Sequence, residues 1–251
     1  MNDRRKLIDN YIQEHNEVTL SSLRELVPDV SEMTIRRDLE ALEAKGKILR
    51  VHGGARSLKA INMLVEDAFS KRSSENVNQK RIIAEKALTL VENNSSVYID
   101  AGSTTMMLAE MLPDKNLLVS TCGINIAVEL MRQENSRVNL IGGEVNKNNI
   151  STYGPEARVA MENINIDVAF VASTAFSPKS GFTCGNVHDC ELKREALSRA
   201  TLKVILMDSA KVGTIMPYTF ARPGDIDVLI SDDGLSEEIR SFFEENGTQV
   251  L

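Results

Sequence analysis

Residues 100–105, DAGSTT, place a carboxylate, a glycine and a row of hydroxyls directly after an apolar run. Glycine lets the backbone approach a ligand closely, and the free amides at the start of a following helix attract an anion. Serine or threonine would also cap a helix without any ligand, so this loop alone is weak evidence for a phosphate site. The candidate ligand-binding residues of the loop are Asp100, Gly102, Ser103, Thr104 and Thr105.

Three further segments could complete such a site, because each puts small, polar or charged residues after another apolar run. Parallel α/β sheets bind ligands beyond the carboxyl ends of their strands, which predicts that these segments share one cleft. Lys211 would supply a positive charge for a phosphate or a carboxylate. The candidate residues in these segments are Thr121, Cys122, Gly142, Gly143, Asp208 and Lys211.

The elements that must position this cleft begin near residue 78. An amphipathic helix pattern at residues 79–94 is followed by short apolar runs that alternate with helical patterns. Such alternation is typical of βαβ units, and it predicts a doubly wound, mostly parallel α/β domain with helices on both faces of its sheet. The predicted strands lie at residues 97–99, 117–120, 138–141, 168–171, 204–207 and 228–230.

A second set of candidate residues lies near the N terminus, in residues 31–47, SEMTIRRDLEALEAKGK. Helical spacing puts Ile35, Leu39 and Leu42 on one apolar stripe, and it points Arg36 and Arg37 away from that stripe. Outward arginines in the first turns of a helix can contact base edges and phosphates in the major groove of DNA. The candidate DNA-binding residues of this helix are Ser31, Met33, Thr34, Arg36 and Arg37, of which Ser31 is also the predicted N-cap.

Two helix patterns precede this helix, at residues 5–15 and after the predicted N-cap Thr19, and an apolar strand with a glycine-rich basic turn follows it. This order of elements predicts a winged helix-turn-helix domain. Groups on the wing would meet phosphate oxygens and so set the register on DNA without recognising its sequence. His52 could equally be an ordinary residue of a surface turn. The candidate wing residues are Arg50, His52, Gly53, Gly54 and Arg56.

Charge is distributed unevenly along the 251 residues, whose formal net charge is −7. Residues 1–59 carry 11 basic and 10 acidic side chains, a sum of +1, so the remainder carries −8. Residues 45–59 hold five basic side chains and no acidic one. Such runs are usually solvated loops, and this one favours DNA binding only because it follows the arginine-bearing helix.

The composition is that of an ordinary globular protein, with 42% hydrophobic and 26% charged residues. The N terminus, MNDRRKL, lacks the apolar segment of a signal peptide, and no apolar run is long enough to cross a bilayer. We therefore expect a soluble, cytoplasmic, nucleoid-associated protein with no membrane partner. Cys122, Cys184 and Cys190 form no CxxC pair, so we expect reduced thiols, no metal site and no cofactor.

Residues 31–55, SEMTIRRDLEALEAKGKILRVHGGA, resemble the signature of DeoR-family bacterial transcriptional regulators, in which T-I-R-R-D-L and R-x-H-G-G-A occur together. The segments IDAGSTT, IGG, ELKREAL and MDSAK are similar to the effector domain of the same family. That resemblance implies a fold related to ribose-5-phosphate isomerase and glucosamine-6-phosphate deaminase. Met33 stands where these regulators commonly carry Glu or Thr, which could shift the operator preference.

Effectors in this family are typically phosphorylated sugars, and the resemblance therefore implies a phosphate and sugar site at residues 100–105. It also implies that Asp208, Lys211 and Glu191 close this site. Two positions depart from the family pattern: Cys122 stands where Asn is common, and residues 172–174, AST, stand where a Gly is common. The identity of the sugar therefore does not carry over.

These observations predict a DNA-binding regulator, a repressor of carbohydrate-metabolism genes whose binding to double-stranded operator DNA responds to a phosphorylated sugar. The predicted parts are a winged helix-turn-helix domain (1–57), a linker (58–77) and an α/β effector domain (78–251). A dimer or tetramer is expected because operators usually consist of two-fold related half-sites.

Two alternatives belong to other classes of protein. A sugar-phosphate isomerase or deaminase with a fused DNA-binding domain would need a base beside the reacting carbon, and no pair of acids here has a spacing that demands catalysis. The chain also lacks a Gly-x-Ser-x-Gly nucleophile elbow, so we expect no enzymatic activity. A pure interaction module would follow if side chains filled the cleft.

Overall fold

The computed structural model describes residues 3–15, 17–51, 53–57 and 66–251. The chain divides into two compact units, Met1–Val65 and Glu66–Leu251. His52 of the predicted wing and residues 58–65 of the predicted linker lie outside the described residues. Residues 66–77 belong to the second unit and include a short helix.

The first unit has one hydrophobic core beneath three helices and a small antiparallel sheet. Its elements are α1 (Asp3–His15), β1 (Glu17–Thr19), α2 (Leu20–Leu26), α3 (Glu32–Glu43), β2 (Ile48–Val51) and β3 (Gly54–Ser57). The strand order β1-β3-β2, with the turn between β2 and β3 as the wing, confirms the predicted winged helix-turn-helix. Strand β1 is an addition, because a three-residue strand is defined only by its pairing with β3.

Both predicted N-caps in this unit are confirmed. The Thr19 hydroxyl accepts a hydrogen bond from the Ser22 backbone N–H at 3.1 Å, and the Ser22 hydroxyl accepts one from the Thr19 N–H in return. At the start of α3, the Ser31 hydroxyl accepts from the Thr34 N–H at 3.3 Å. These bonds satisfy backbone donors that the first turn of a helix leaves without partners.

The second unit is built on a parallel sheet. Its strands are β4 (Ser96–Ile99), β5 (Leu118–Thr121), β6 (Arg137–Leu140), β7 (Glu144–Asn146), β8 (Ser151–Tyr153), β9 (Ile166–Ala172), β10 (Ala175–Ser177), β11 (Gly181–Cys184), β12 (Ala200–Leu206), β13 (Tyr218–Ala221), β14 (Val228–Ile230) and β15 (Gln249–Val250). Seven of them form a sheet in the order β15-β14-β12-β9-β4-β5-β6, with every neighbouring pair parallel. The six predicted strands are all in this sheet and are confirmed.

Helices cover both faces of this sheet, as the doubly wound prediction requires. They are α4 (Phe69–Ser74), α5 (Val77–Leu88), α6 (Ser103–Met111), α7 (Ile124–Leu130), α8 (Pro155–Met161), α9 (Val187–Arg199) and α10 (Glu237–Glu245). Alternate residues of β9 enter two separate cores: Val168 and Phe170 pack with α5, α6 and α7, whereas Ala169 and Val171 pack with α8, α9 and α10. The antiparallel sheet β10-β11-β13 joins the second of these cores.

The three cysteines are buried and form no disulfide. Within the described ranges, no helix is long and apolar enough to cross a membrane. No group of three or more His, Cys, Asp or Glu side chains in that part of the chain is arranged to hold a metal ion.

Candidate functional site

The outer face of α3 carries the predicted DNA-binding side chains. Ile35 and Leu39 are buried in the first unit, whereas Arg36 and Arg37 are exposed, so the predicted outward direction of both arginines is confirmed. Met33 is 62% exposed on the same surface. The α3 helix therefore offers a polar and partly apolar strip to a partner.

The arginines differ in their partners within this unit. Arg36 Nη2 lies 2.8 Å from Glu32 Oε1, one turn earlier on α3. On the wing, Arg50 is 2.9 Å from Glu40 and 2.7 Å from Glu43. Hydrogen bonds from the backbone and the side chain of Arg50 lower the pKa of Glu43 below its usual value. These arginines are thus already neutralised by carboxylates.

Arg56 and Arg37 complete the set of arginines. Arg56 lies 2.8 Å from Glu17. Arg37 has no ion pair among the residues that the structure describes. Its guanidinium group is therefore available to a partner without an exchange of ion pairs.

The wing glycines have roles in the backbone. Gly53 has φ +81°, a left-handed conformation that side chains disfavour, and its carbonyl accepts a hydrogen bond from the Leu20 N–H at 2.8 Å. A Cβ atom on Gly54 would lie 2.0 Å from the Val18 carbonyl oxygen. Packing alone therefore requires glycine at position 54, whatever the wing contacts.

A polar cleft in the second unit lies at the carboxyl ends of three adjacent strands, β4, β9 and β12, where parallel sheets bind ligands. The residues that these strand ends contribute to its wall are Ala101, Ser103, Thr104, Ala172, Ser173, Thr174 and Asp208. Its volume is about 20 Å³, close to the least that holds one water molecule. A larger ligand therefore requires the lining side chains to move.

The predicted phosphate loop forms one wall of this cleft. Gly102 precedes α6 and no side chain caps the helix, so the amides of its first turn are not satisfied by a capping hydroxyl. A Cβ atom on Gly102 would lie 3.0 Å from the Ala172 Cβ, so a larger residue there would require Ala172 to shift. Ser103 and Thr104 face the cleft. Thr105 is fully buried and donates to the Gly102 carbonyl at 3.0 Å instead.

A buried ion pair forms the floor of the cleft. Lys193 of α9 donates to Asp100 Oδ2 and to the Ala172 carbonyl, and its Nζ lies 3.5 Å from Asp189. Asp100 also accepts from the Ala172 N–H at 3.1 Å. Burial alone would lower the pKa of Lys193, but the charges of Asp100 and Asp189 outweigh it and raise that pKa. The ammonium group therefore stays charged and locks β4 to β9.

The segment 66–76, which we call the strap, forms another part of the cleft wall. Thr174 donates its hydroxyl hydrogen to the Glu66 carboxylate, and Phe69 donates its backbone N–H to the Asn148 carbonyl at 2.8 Å. At the other end of the strap, the Asn76 amide donates to Asp208 at 3.2 Å. Part of the segment predicted as linker therefore contributes to the wall of the site.

Residues 4–60 of the chain match the DeoR-like helix-turn-helix domain, and residues 75–233 match the DeoR C terminal sensor domain. The chain belongs to the DeoR family. The first of these domains contains α3 and the wing, and the second contains the strand ends of the cleft. The family resemblance predicted from residues 31–55 is thus confirmed.

Relatives of this DeoR-family chain extend over most of its length. The HTH-type transcriptional regulator GolR of Listeria innocua is 35% identical over 249 residues, which is 99% of this chain and 97% of the relative. The HTH-type transcriptional regulator GlpR of Haloferax volcanii is 33% identical over 222 residues, 88% of this chain and 86% of the relative. The chain is therefore a DNA-binding transcriptional regulator and not an enzyme.

Solved structures align with part of the chain at low similarity. Ribose 5-phosphate isomerase A from Methanocaldococcus jannaschii aligns with a TM-score of 0.41 and 14% identity over 56% of each chain. A likeness of that size says nothing about the ligand of the DeoR-family chain.

Some predicted effector residues lie away from the cleft of this DeoR-family sensor domain. Thr121 and Cys122 are buried behind Asp100, where the Cys122 thiol pairs with the Tyr98 hydroxyl at 3.3 Å. Burial raises the pKa of this thiol to about 12, so it stays protonated.

Three other predicted residues also lie elsewhere. Gly142 and Gly143 follow the edge strand β6, and Gly143 packs so closely that a Cβ there would lie 2.3 Å from the Tyr153 carbonyl oxygen. Glu191 is exposed on α9 and faces His188 at 3.4 Å. The structure therefore gathers part of the predicted set around one cleft, namely Asp100, Gly102, Ser103, Thr104, Asp208 and Lys211.

The sequence analysis missed several cleft residues, among them Lys193, Glu66, Arg72 and Lys80. Lys193 occurs in the ELKREAL segment. Its burial could have been predicted, because helical spacing places it with Leu192, Ala196 and Leu197 on the buried face of α9. Glu66, Arg72 and Lys80 precede β4, the first strand of the second unit. No local pattern indicates that their side chains reach the carboxyl ends of strands so distant in sequence.

Proposed function

We propose that this DeoR-family regulator represses genes of carbohydrate metabolism and that a phosphorylated sugar, bound in the cleft, changes its affinity for the operator. The observation that carries the proposal is the wall beside Gly102, where an uncapped helix start, two hydroxyl side chains and Lys211 share one cleft. Backbone amides, hydroxyls and an ammonium group are the donors that a phosphate oxygen accepts from. Beneath them, the buried Asp100–Lys193 ion pair holds the strand ends that carry these donors.

On the DNA side, we propose that Met33, Thr34 and Arg37 meet base edges in the major groove. Arg36, Arg50 and Arg56 would exchange their carboxylate partners for phosphate oxygens, since both anions accept bidentate bonds from a guanidinium group. Ser31 acts on the same surface by holding the first turn of α3, and the wing glycines hold the turn that presents Arg50.

We also propose that the regulator acts as a homo-oligomer, a dimer or a tetramer. A two-fold assembly presents two copies of α3 to two half-sites, which a single winged helix-turn-helix does not. Analytical ultracentrifugation of the protein with a selected operator should give an even number of chains per DNA duplex. A complex with one chain per duplex would contradict this part of the proposal.

The experiment that tests the function starts by selecting an operator from random duplexes with the full chain. Operator affinity is then measured with and without a panel of pentose and hexose phosphates, each beside its unphosphorylated sugar. A coupling of about 1–3 kcal/mol changes the affinity roughly 5- to 150-fold, so at least one phosphate ester should do so. Equal effects of a sugar and its phosphate ester would overturn the proposed effector class.

A further inference from the structure

The cleft holds three cationic side chains that lack a carboxylate within ion-pair distance among the described residues: Arg72, Lys80 and Lys211. Lys193 differs from them, because it contacts Asp100 and Asp189. Burying an unpaired charge is costly, and proteins usually pair such groups or use them to bind a ligand. Three unpaired cations in one small cleft therefore indicate a place for an anion.

Lys80 shows this most clearly, because it is only 4% exposed. Its ammonium group donates to the backbone carbonyls of Arg72 and Glu75, both in the strap. An ammonium group has three hydrogens, so one donor remains for another acceptor in the cleft. Burial, the largest effect, lowers the pKa of Lys80, and nearby Lys211 lowers it further, while Asp208 opposes them.

Arg72 is held in the strap by neutral groups. Its guanidinium donates to the Asp67 carbonyl at 2.9 Å and to the Asn149 side-chain oxygen. These acceptors orient the group without cancelling its charge. The side chain therefore presents a positive charge to the cleft from the strap.

We propose that the strap is part of the effector site, and that Arg72 and Lys80, together with Lys211, bind the anionic group of the effector. This inference rests on the proposed function and adds the residues that hold the phosphate. A bound phosphate would accept a hydrogen bond from the remaining N–H of the Lys80 ammonium group. The strap carbonyls, this ammonium group and the ligand would then form one hydrogen-bonded network. The chain continues from Glu66 through residues 58–65 into the DNA-binding unit, so the ligand would act on the segment that joins the two units.

The test compares the full-length protein with two lysine variants by calorimetry, using inorganic phosphate and the panel of sugar phosphates as probes. Lys80→Met should weaken phosphate binding at least 10-fold. Lys71→Met is the matched control, because Lys71 is an exposed lysine of the same segment, paired with Asp67 at 2.8 Å. The control should bind within twofold of the parent. Equal binding by Lys80→Met and the parent would overturn the inference and leave the proposed function standing.

Two further measurements guard against a variant that fails to fold. Lys211→Met changes a cation that makes no bond to the strap, and it should also weaken phosphate binding at least 10-fold; unchanged binding would contradict the anion site.

Hydrogen exchange on the parent protein should show slower exchange of amides in residues 66–76 when phosphate is present. Unchanged exchange there, with phosphate bound, would overturn the role of the strap. A parent protein that binds DNA but none of the phosphate probes would overturn the proposed function itself.

Discussion

At the scale of single residues, the arginines that we propose to face DNA differ in whether a carboxylate of the same unit already holds them. Arg36, Arg50 and Arg56 are paired, whereas Arg37 has no ion pair in the part of the chain that the structure describes. A paired arginine loses its ion pair with the carboxylate when it binds a phosphate, whereas an unpaired arginine forms a new interaction without losing one. Arg37 should therefore contribute more to operator binding than its neighbours.

Replacing Arg37 by alanine should weaken binding to the selected operator roughly 10- to 100-fold and should lower the preference for the operator over random DNA. Arg56→Ala is the control, because it should weaken binding to both DNA sequences similarly. Fluorescence anisotropy at two salt concentrations measures both effects. Parent-like operator affinity of Arg37→Ala would remove this residue from the interface.

Removing a competing carboxylate should have the opposite effect. Glu43 accepts hydrogen bonds from both the backbone and the side chain of Arg50, so Glu43→Gln should leave this guanidinium with one carboxylate partner, Glu40, and make it easier to transfer to a phosphate. We expect tighter binding to any duplex and a slope of log affinity against log salt that is steeper by up to about 0.9. A slope and an affinity equal to those of the parent would mean that Arg50 makes no phosphate contact.

At the scale of elements, a buried carboxylate joins two helices of the DNA-binding unit. Asp38 of α3 is 1% exposed, and Arg4 and Arg5 of α1 each place Nε 2.6 Å from one of its oxygens. Burial alone would raise the pKa of Asp38, but the hydrogen bonds from Arg4 and Arg5 outweigh it and lower that pKa. The contact joins the first turn of α1 to the middle of α3.

Asp38→Asn should lower the free energy of unfolding of this unit by about 1–2 kcal/mol. The loss is smaller than for a fully buried ion pair, because both arginines are partly exposed to solvent. In the parent, this stabilisation should be complete above the usual carboxyl pKa and should be lost as pH falls through the lowered pKa of the folded state. Urea unfolding of both proteins at several pH values measures this. Asp29→Asn, at an exposed position, should match the parent; an equal loss there would contradict the assignment.

The elements also show what local sequence can predict. Runs such as residues 97–99 and 168–171 are buried on both faces, so continuous apolar character indicated strands without knowledge of their partners. Strands β1, β7 and β15 have two or three residues each, and only pairing with distant segments makes them strands. The same distinction separates Ser103 and Thr104, which a local motif indicates, from Arg72 and Lys80, whose place in the cleft depends on how the whole unit folds.

At the scale of the whole molecule, the chain joins a DNA-binding domain to a sensor domain, and its regulatory response requires free-energy coupling between their two sites. That coupling is reciprocal: an effector that weakens operator binding by a given factor is itself bound more weakly by the same factor when the operator is present. Both directions can be measured on the same protein. Their agreement would show that one equilibrium links the two sites.

The most direct measurement is the operator affinity of the parent protein and of Thr104→Ala, each with and without a saturating phosphorylated sugar. Thr104 lines the cleft and belongs to the sensor unit, so the variant should bind the operator like the parent when no sugar is present. The account predicts a roughly 5- to 150-fold change of affinity in the parent and a much smaller change in the variant at the same sugar concentration. No change in the parent with any sugar phosphate, or an undiminished change in the variant, would contradict it.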